Sequence, residues 1–361
     1  AVGALKGQIG HCGAATGLLS LVRASLAIYH QIIPASRFTE TPNPEISAIS
    51  QLYLPRIPRY WLRNRQGPPR RAGVSSLSVD GSCYQVIIDE PANSPDGAVT
   101  GPISIPSAGS ESLFCITGES PEQLLDGLDL LLERCPGVDA ADLSSLAYEW
   151  HSRENPDTRP LALALVARNP EELAALINLS RDAVLSGGEI QSPHPALRDR
   201  LFYSTSPLGR EGKIAFVFPG SGNHYPGMGV ELSSRWPEIF RCQDQENLRL
   251  RDQFRPELFW NGATMAELDN DHNGVIFGQV ATGCAVSDTV RKFGVKPDAS
   301  IGYSLGETAG LFAFRAWTDR DLMLSRITSS TLFTQDLAGE CRAARASWGL
   351  PEERQLTWSI G

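Results

Sequence analysis

The stretch Ile301-Gly302-Tyr303-Ser304-Leu305-Gly306-Glu307 places a G-x-S-x-G pattern between a short apolar run and a helical segment. We predict a strand over residues 299–301, a sharp turn at Ser304 and a helix over residues 305–317, the arrangement of a nucleophile elbow. Glycines suit the turn because a strained backbone leaves no space for side chains on either side of the serine. The pattern predicts an exposed nucleophile, Ser304, whose oxyanion the backbone N–H of Leu305 stabilises. The alternative is a chance match in a loop.

Length and composition describe an ordinary globular protein. The 361 residues are 42% hydrophobic, 20% charged and 8% aromatic, enough for two or three domains. A net charge of −9 argues against nucleic acid or an anionic membrane surface as the main partner. Seven scattered cysteines without a C-x-x-C pair, and no signal peptide or bilayer-spanning run, favour the cytosol. Because the sequence begins with Ala1 inside an apparently structured segment, we expect a fragment.

Two polar side chains stand out near the start, in a segment dense in small residues. Lys6 and His11 lie within residues 3–17, just before a predicted helix over residues 18–30. Close packing there leaves both side chains beside a shared cavity, where the histidine can donate a hydrogen bond and the lysine can hold polar groups. Taken alone, the segment is equally typical of a glycine-rich loop with a structural histidine.

Residues 70–90 contain two β-rich runs separated by Asp80-Gly81, which predicts a hairpin. Together with the Lys6 and His11 segment, they resemble the end of a β-ketoacyl synthase. The resemblance implies that Lys6 and His11 are its active-site lysine and second histidine. The nucleophilic cysteine and first histidine would precede Ala1. The stretch Ser82-Cys83-Tyr84-Gln85 stands where the family usually has Thr-Asn-Ala-His.

Residues 91–110 are rich in Pro, Gly, Ser and Ala and predict a mobile connector. Strands over residues 113–117 and 161–167 are each followed by a capped helix, to about residue 135 and residue 185, with another helix near residues 140–150. This predicts a small α/β module that resembles the linker between ketosynthase and acyltransferase in type I synthases. His151 and His194 lie in polar stretches, which favours solvent exposure over catalysis.

The apolar run 213–218 is typical of a buried parallel strand, and the glycine-rich turn 219–229 follows it, before a helix near Val230. The turn does not meet the Rossmann spacing and lacks a Walker lysine. It resembles the loop after the first acyltransferase strand, and the resemblance implies that the backbone N–H of Ser221 forms the second half of the oxyanion hole. The family usually has Gln there, but a backbone donor survives that change. Residues 269–274 imitate the start of a calcium loop without its final Glu, so we interpret them as a solvated turn before a helix over residues 275–293.

The resemblance covers the whole chain. It implies the end of a ketosynthase over residues 1–90, a linker domain over residues 91–212 and the first part of an acyltransferase over residues 213–361. The expected fold class is α/β: a thiolase-like ketosynthase part, a small α/β linker domain and a partial α/β-hydrolase-like acyltransferase core. The parent is identified as a type I polyketide synthase or polyunsaturated fatty acid synthase. Tyr303, where most relatives have His, and the region of Cys83 favour the second.

Two features of the family pattern are missing. Malonyl-selective members carry an Arg 25 residues after the serine, where this sequence has Ser329, and Arg326 replaces it only in another helix register. An uncharged acyl group is therefore an alternative to malonyl. All six histidines precede Ser304, whereas the family's catalytic histidine follows the serine. His224 in the glycine-rich turn is the candidate replacement base, against the more common solvent-facing turn residue.

The resemblance implies acyl transfer from acyl-coenzyme A to Ser304 and then to the phosphopantetheine thiol of an acyl carrier protein, coupled to ketosynthase condensation. It implies a homodimer through the ketosynthase, other synthase domains as partners and no directly bound cofactor or metal. The fragment alone is expected to be inactive, without Ser304 acylation at a catalytic rate. The alternatives are a non-catalytic or chain-length-factor-like scaffold and an α/β serine hydrolase or thioesterase.

Overall fold

The computed structural model describes residues 1–47, 49, 52–91, 111–135, 137–139, 142–153, 159–187, 199–209, 212–337, 339–351, 353–354 and 356. The chain divides into two compact units. Unit 1 combines Ala1–Ile103 with Ile214–Gly361, and unit 2 is Ser104–Lys213. The predicted connector, beyond Pro91, and His194 lie outside the described residues.

The first part of unit 1 is a helix packed on a hairpin, with two short strands between them. Its elements are α1 (Lys6–Ile9), α2 (Ala15–His30), β1 (Ile32–Ile33), α3 (Pro44–Ser47), β2 (Arg59–Tyr60), β3 (Arg71–Leu77) and β4 (Cys83–Asp89). The predicted hairpin is confirmed: β3 and β4 pair antiparallel, and Gly81 takes a φ of 85° in the turn, which glycine adopts without strain. The predicted helix begins three residues early, at Ala15.

Arg70, next to β3, is the centre of a buried polar network. Its side chain is fully buried, and its Nη1 lies 2.7 Å from Glu90 Oε1. Its Nε donates to the Trp61 carbonyl at 2.7 Å, and Nη2 lies 3.9 Å from Asp244 Oδ2. Burial raises the pKa of Asp244, an effect that nearby Arg70 opposes. The network therefore joins the base of the hairpin to a residue more than 150 positions away in the chain.

Unit 2 contains an antiparallel sheet in the order β5-β6-β7, and its described residues also form helices α4, α5 and α6. The elements are β5 (Ser112–Gly118), α4 (Pro121–Glu133), α5 (Leu143–Arg153), β6 (Leu161–Ala167), α6 (Pro170–Leu185) and β7 (Leu201–Ser204). Alternate residues of β5 and β6 enter one core with leucines of α4 and α6. The predicted small α/β module is confirmed, and His151 is exposed, as predicted, with Nε2 2.9 Å from the Leu113 carbonyl oxygen.

The caps of the two predicted helices of unit 2 differ. Asn169 accepts a hydrogen bond from the Glu172 amide at 2.7 Å, as expected of an N-cap. The expected cap of the first helix is wrong at Ser120, because its side chain makes no cap bond, and Gln123 accepts from the Glu119 amide at 2.9 Å. Proline at the first helical position starts both helices in any case.

The second part of unit 1 surrounds a parallel strand pair with helices. Its elements are β8 (Ala215–Phe218), α7 (Val230–Arg235), α8 (Pro237–Glu246), α9 (Leu250–Phe254), α10 (Pro256–Phe259), α11 (Met265–Asp269), α12 (His272–Lys292), β9 (Ala299–Gly302), α13 (Leu305–Ala313), α14 (Arg320–Ser329), the π-helical turn Leu332–Asp336 and α15 (Arg342–Trp348). Strands β8 and β9 pair in parallel, with Phe218 opposite Gly302. The predicted parallel pairing and the α/β class are confirmed, but the expected burial of the strand is wrong, because Val217 in β8 is 71% exposed. No helix within the described ranges is long and apolar enough to span a bilayer.

Two helix boundaries in this part differ from the prediction. Helix α13 ends at Ala313, not at residue 317, because Arg315 adopts a left-handed conformation with a φ of 57°. Helix α12 begins at His272, inside the stretch interpreted as a solvated turn. There Asp271 caps the helix by accepting from the Gly274 amide at 2.8 Å.

Candidate active site

Ser304 lies at the point where β9 turns into α13, in a backbone conformation that non-glycine residues rarely adopt. Its φ is 53° and its ψ is −116°. The side chain is exposed, and its hydroxyl makes no hydrogen bond to any residue that the structure describes. The predicted elbow is confirmed. The strained backbone presents one hydroxyl to solvent, as a nucleophile requires.

The two glycines of the motif are fixed by backbone contacts. A Cβ on Gly306 would collide with the carbonyl oxygen of Phe218, the last residue of β8. A Cβ on Gly302 would collide with the backbone of Gly306 and Glu307. Helix α13 can therefore sit directly on the end of β8 only because these positions carry no side chain.

The glycine-rich loop after β8 lies against the elbow. Gly220 is so close to Tyr303 that a Cβ on it would lie 2.8 Å from the tyrosine Cδ1. The Gly220 carbonyl oxygen accepts two side-chain hydrogen bonds, from Asn223 Nδ2 at 3.0 Å and from Gln279 Nε2 at 3.2 Å. Sequence reasoning missed both amides, because a donor to one backbone carbonyl leaves no periodic or motif signal.

Anchoring this carbonyl also orients the next amide. The Gly220 C=O and the Ser221 N–H belong to one planar trans peptide, so they point in opposite directions. Two donors on the oxygen therefore fix the direction in which the Ser221 N–H points. Neither this N–H nor that of Leu305 donates to another group in the described ranges. Both predicted oxyanion donors are thus available.

The structure corrects the prediction for His224. We expected a turn residue that faces solvent, but the His224 side chain is only 7% exposed. Its Nε2 lies 2.9 Å from Asp269 Oδ1, and its Nδ1 is buried without a partner in the described part of the chain. The histidine turns towards the end of α11 because Asp269 offers a carboxylate there. It makes no hydrogen bond to Ser304.

The two residues considered for substrate carboxylate binding lie at the end of α14. Both Ser329 and Arg326 are exposed, and the Ser329 hydroxyl donates to the Arg326 carbonyl at 3.0 Å. An apolar cavity of about 580 Å³ lies beside the elbow, and its lining includes Pro219, Gln279 and Leu305. The arginine buried in α14 is Arg320, which donates to Asn247 and Gln243 and is held inside the protein.

Lys6 begins α1 and His11 follows that helix, at the start of unit 1. Both are exposed, and His11 Nδ1 accepts from the Gly13 amide at 3.0 Å. Helix α1 was not predicted. Within the described ranges no hydrogen bond or ion pair links either residue to Ser304, so the two predicted sites are separate groups of residues.

Comparison with known proteins gives matches along the chain. A family model described as "Beta-ketoacyl synthase, C-terminal domain" matches residues 1–39. Polyketide synthase GfsE of Streptomyces halstedii is 28% identical over 85% of this chain and 8% of its own length. Mycoketide-CoA synthase of Mycobacterium tuberculosis is 26% identical over 100% of this chain and 8% of its own length. The chain thus spans less than a tenth of these two relatives.

Two solved structures give weaker matches. The acyl transferase domain of ZmaA is 21% identical, covers 57% of this chain and 45% of its own, and has a TM-score of 0.42. The ketosynthase from module 6 of the bacillaene synthase of Bacillus subtilis is 20% identical, covers 56% of this chain and 32% of its own, and has a TM-score of 0.22.

Proposed function

We propose that this chain, a relative of type I polyketide synthases, carries an acyl-transfer site in which Ser304 is the nucleophile. The acyl group passes from the thioester of acyl-coenzyme A to the Ser304 hydroxyl, and coenzyme A leaves as the thiol. The ester is then attacked by the phosphopantetheine thiol of an acyl carrier protein, which regenerates the serine. The observation that carries this proposal is the strained, exposed conformation of Ser304 at the start of α13.

The amides of Leu305 and Ser221 are the proposed oxyanion donors in both steps. Their free N–H groups, and the anchoring of the Gly220 carbonyl, support this role. No general base is assigned, because His224 pairs with Asp269 and no hydrogen bond links the histidine to Ser304 among the described residues. The apolar cavity beside Leu305, and Ser329 in place of the expected arginine, favour an uncharged acyl group over malonyl.

The wider assignment is part of the same proposal. Residues 1–90 would contribute Lys6 and His11 to decarboxylative condensation in a ketosynthase, residues 91–212 would form the linker domain, and residues 213–361 would belong to the acyltransferase. Acyl carrier protein, other synthase domains and a second copy of the ketosynthase would be the partners. We place the protein in the cytosol, where its cysteines would stay reduced.

Acylation of Ser304 can be tested directly by mass spectrometry. Incubation with excess butyryl-coenzyme A for hours should give a single butyryl adduct that maps to Ser304. The adduct should form slowly, because no described side chain is hydrogen-bonded to the serine to accept its proton. Ser304→Ala should give no adduct, and Ser325→Ala, which removes an exposed serine of α14, should react like the wild type. An unmodified wild type, or an adduct that survives in Ser304→Ala, would refute the proposal. Transfer to an acyl carrier protein, as opposed to release of free acid, distinguishes it from a hydrolase.

Gln279→Met tests the role of the anchored peptide. The variant keeps the length of the side chain but removes the donor to the Gly220 carbonyl, so the Ser221 N–H loses part of its orientation. A complete oxyanion donor contributes about 10²–10³ in rate, and we expect a loss of about tenfold here. The loss should appear in the maximal acylation rate and not in the concentration of acyl-coenzyme A that gives half of it. If the half-saturating concentration of acyl-coenzyme A rises and the maximal rate is unchanged, Gln279 acts in substrate binding instead.

A further inference from the structure

A second cavity in unit 1, of about 560 Å³, lies between the segment around residues 39–59 and the region of α10. Its lining includes Tyr53, Arg59, Val230, Phe259, Trp260 and Asn261. No aspartate or glutamate is among the described residues that line it. The cavity therefore combines aromatic and polar groups, with two arginines, Arg56 and Arg59, and no carboxylate among the described residues of its lining.

Arg59 is the unusual member of this lining. Only 5% of the residue is exposed, and its guanidinium lies 5.1 Å from the centre of the Tyr53 ring. Its Nη1 donates to Asn261 Oδ1 at 2.8 Å, while its Nε is buried and has no partner among the residues that the structure describes. No carboxylate forms an ion pair with Arg59 within the described ranges.

A buried cation without a counter-ion is unfavourable, because it has lost its water and gained no opposite charge. Guanidinium groups bind carboxylate and phosphate through two parallel N–H groups, and Nε and Nη2 make one such pair. The Tyr53 ring supports one face of the guanidinium, so a small rotation of the group can present this edge to the cavity. The lining thus lacks one component, an anion.

We propose that this cavity binds an organic anion. Its carboxylate or phosphate head would pair with the guanidinium of Arg59, and its apolar body would pack against Phe259 and Trp260. The site does not include Ser304, so it stands whether or not the serine is acylated.

Calorimetric titration of the full chain with benzoate and with phenyl phosphate tests the proposal. At least one of the two should bind with a dissociation constant of about 1 mM or tighter, an ordinary value for so small a ligand. Neutral benzamide should bind at least about tenfold more weakly, because it lacks the charge that Arg59 pairs with. Preference for benzoate would identify a carboxylate ligand, and preference for phenyl phosphate would identify a phosphate ester. Failure of both anions to bind overturns the proposal.

Arg59→Met locates the binding, since methionine retains most of the stem and removes the charge. Affinity for the preferred anion should fall at least about tenfold, whereas Arg235→Met, which changes an exposed arginine of α7, should bind as the wild type does. Unchanged binding by Arg59→Met overturns the proposal. If circular dichroism shows that this variant is unfolded, modification of the wild type by phenylglyoxal decides the question. The anion should protect Arg59 from modification, and an Arg59 that is modified equally with and without the anion overturns the proposal.

Discussion

Gly306→Ala should unfold the elbow. The new Cβ would collide with the Phe218 carbonyl oxygen at the end of β8, and a strand backbone cannot move aside as a side-chain tip can. Alanine is the better helix former, but that gain of about 1 kcal/mol is smaller than the expected loss. We expect the free energy of unfolding of unit 1 to fall by about 3 kcal/mol or more.

Gly283→Ala is the matched control, because it makes the same change in α12, against the same strand. There the nearest atoms to a new Cβ are side-chain carbons of Ala309 and Phe218 at 3.6 Å, which is ordinary contact. This variant should be unchanged or more stable by about 0.5–1 kcal/mol. Amide hydrogen exchange read by peptide should show faster exchange in β8, β9 and α13 for Gly306→Ala alone. Equal protection in the two variants would contradict the clash.

Replacing the buried Arg70 by methionine is the second change with a large expected effect. It leaves the carboxylate of Asp244, whose side chain is 12% exposed, without the arginine that pairs with it, and Glu90, 4% exposed, retains only Arg63, at 3.5 Å, as a cation among the described residues. Breaking a buried ion pair from one side costs about 3–5 kcal/mol, and we expect a loss of that size in urea denaturation of unit 1. Arg71→Met is the control. Arg71 binds Asp89 on the surface with 59% of its side chain exposed, so its loss should have little effect.

The loss in Arg70→Met should also depend on pH in a defined direction. Burial already raises the pKa of Asp244, and removing Arg70 removes a group that lowers it. A carboxyl whose pKa is higher in the folded state binds more protons there, so stability decreases as pH rises through the range above its unfolded value. The deficit of Arg70→Met should therefore be smaller at about pH 5 than at about pH 8. A deficit that grows on acidification would show that buried carboxylates are not its cause.

The elbow, the hairpin and the parallel strand were predictable because each has a local cause. Glycine beside Ser304, Asp80-Gly81 in the hairpin and the apolar run before the glycine-rich turn all act over a few residues. The end of α13 was not predictable. Arg315 terminates the helix in a left-handed conformation while its guanidinium binds Asp288 at 2.8 Å and Glu246 at 3.0 Å. Both partners belong to other helices, so the sequence around Arg315 gives no sign of them.

In the candidate site, too, some features were predictable from the sequence and others were not. Ser304 and the Leu305 and Ser221 amides follow from motifs, since the roles depend on the backbone that the glycines permit. The hydrogen bond from Gln279 to the Gly220 carbonyl, and the burial of His224 against Asp269, depend on distant residues supplied by α12 and α11. Arg59 likewise pairs with Asn261, which is 202 positions away in the chain. The sequence alone shows where the backbone can adopt a strained conformation. It does not show which distant side chains stabilise that conformation.

The pairing of β8 with β9 has a consequence for biosynthesis. Ile214 and Asp298, which meet at the start of this strand pair, are 84 residues apart, and the polypeptide between them must be made before β8 finds its neighbour. At ordinary translation rates this interval is on the order of 10 s, during which an apolar strand edge stays open. Ser304 lies just after β9, so its strained backbone forms only after that pairing.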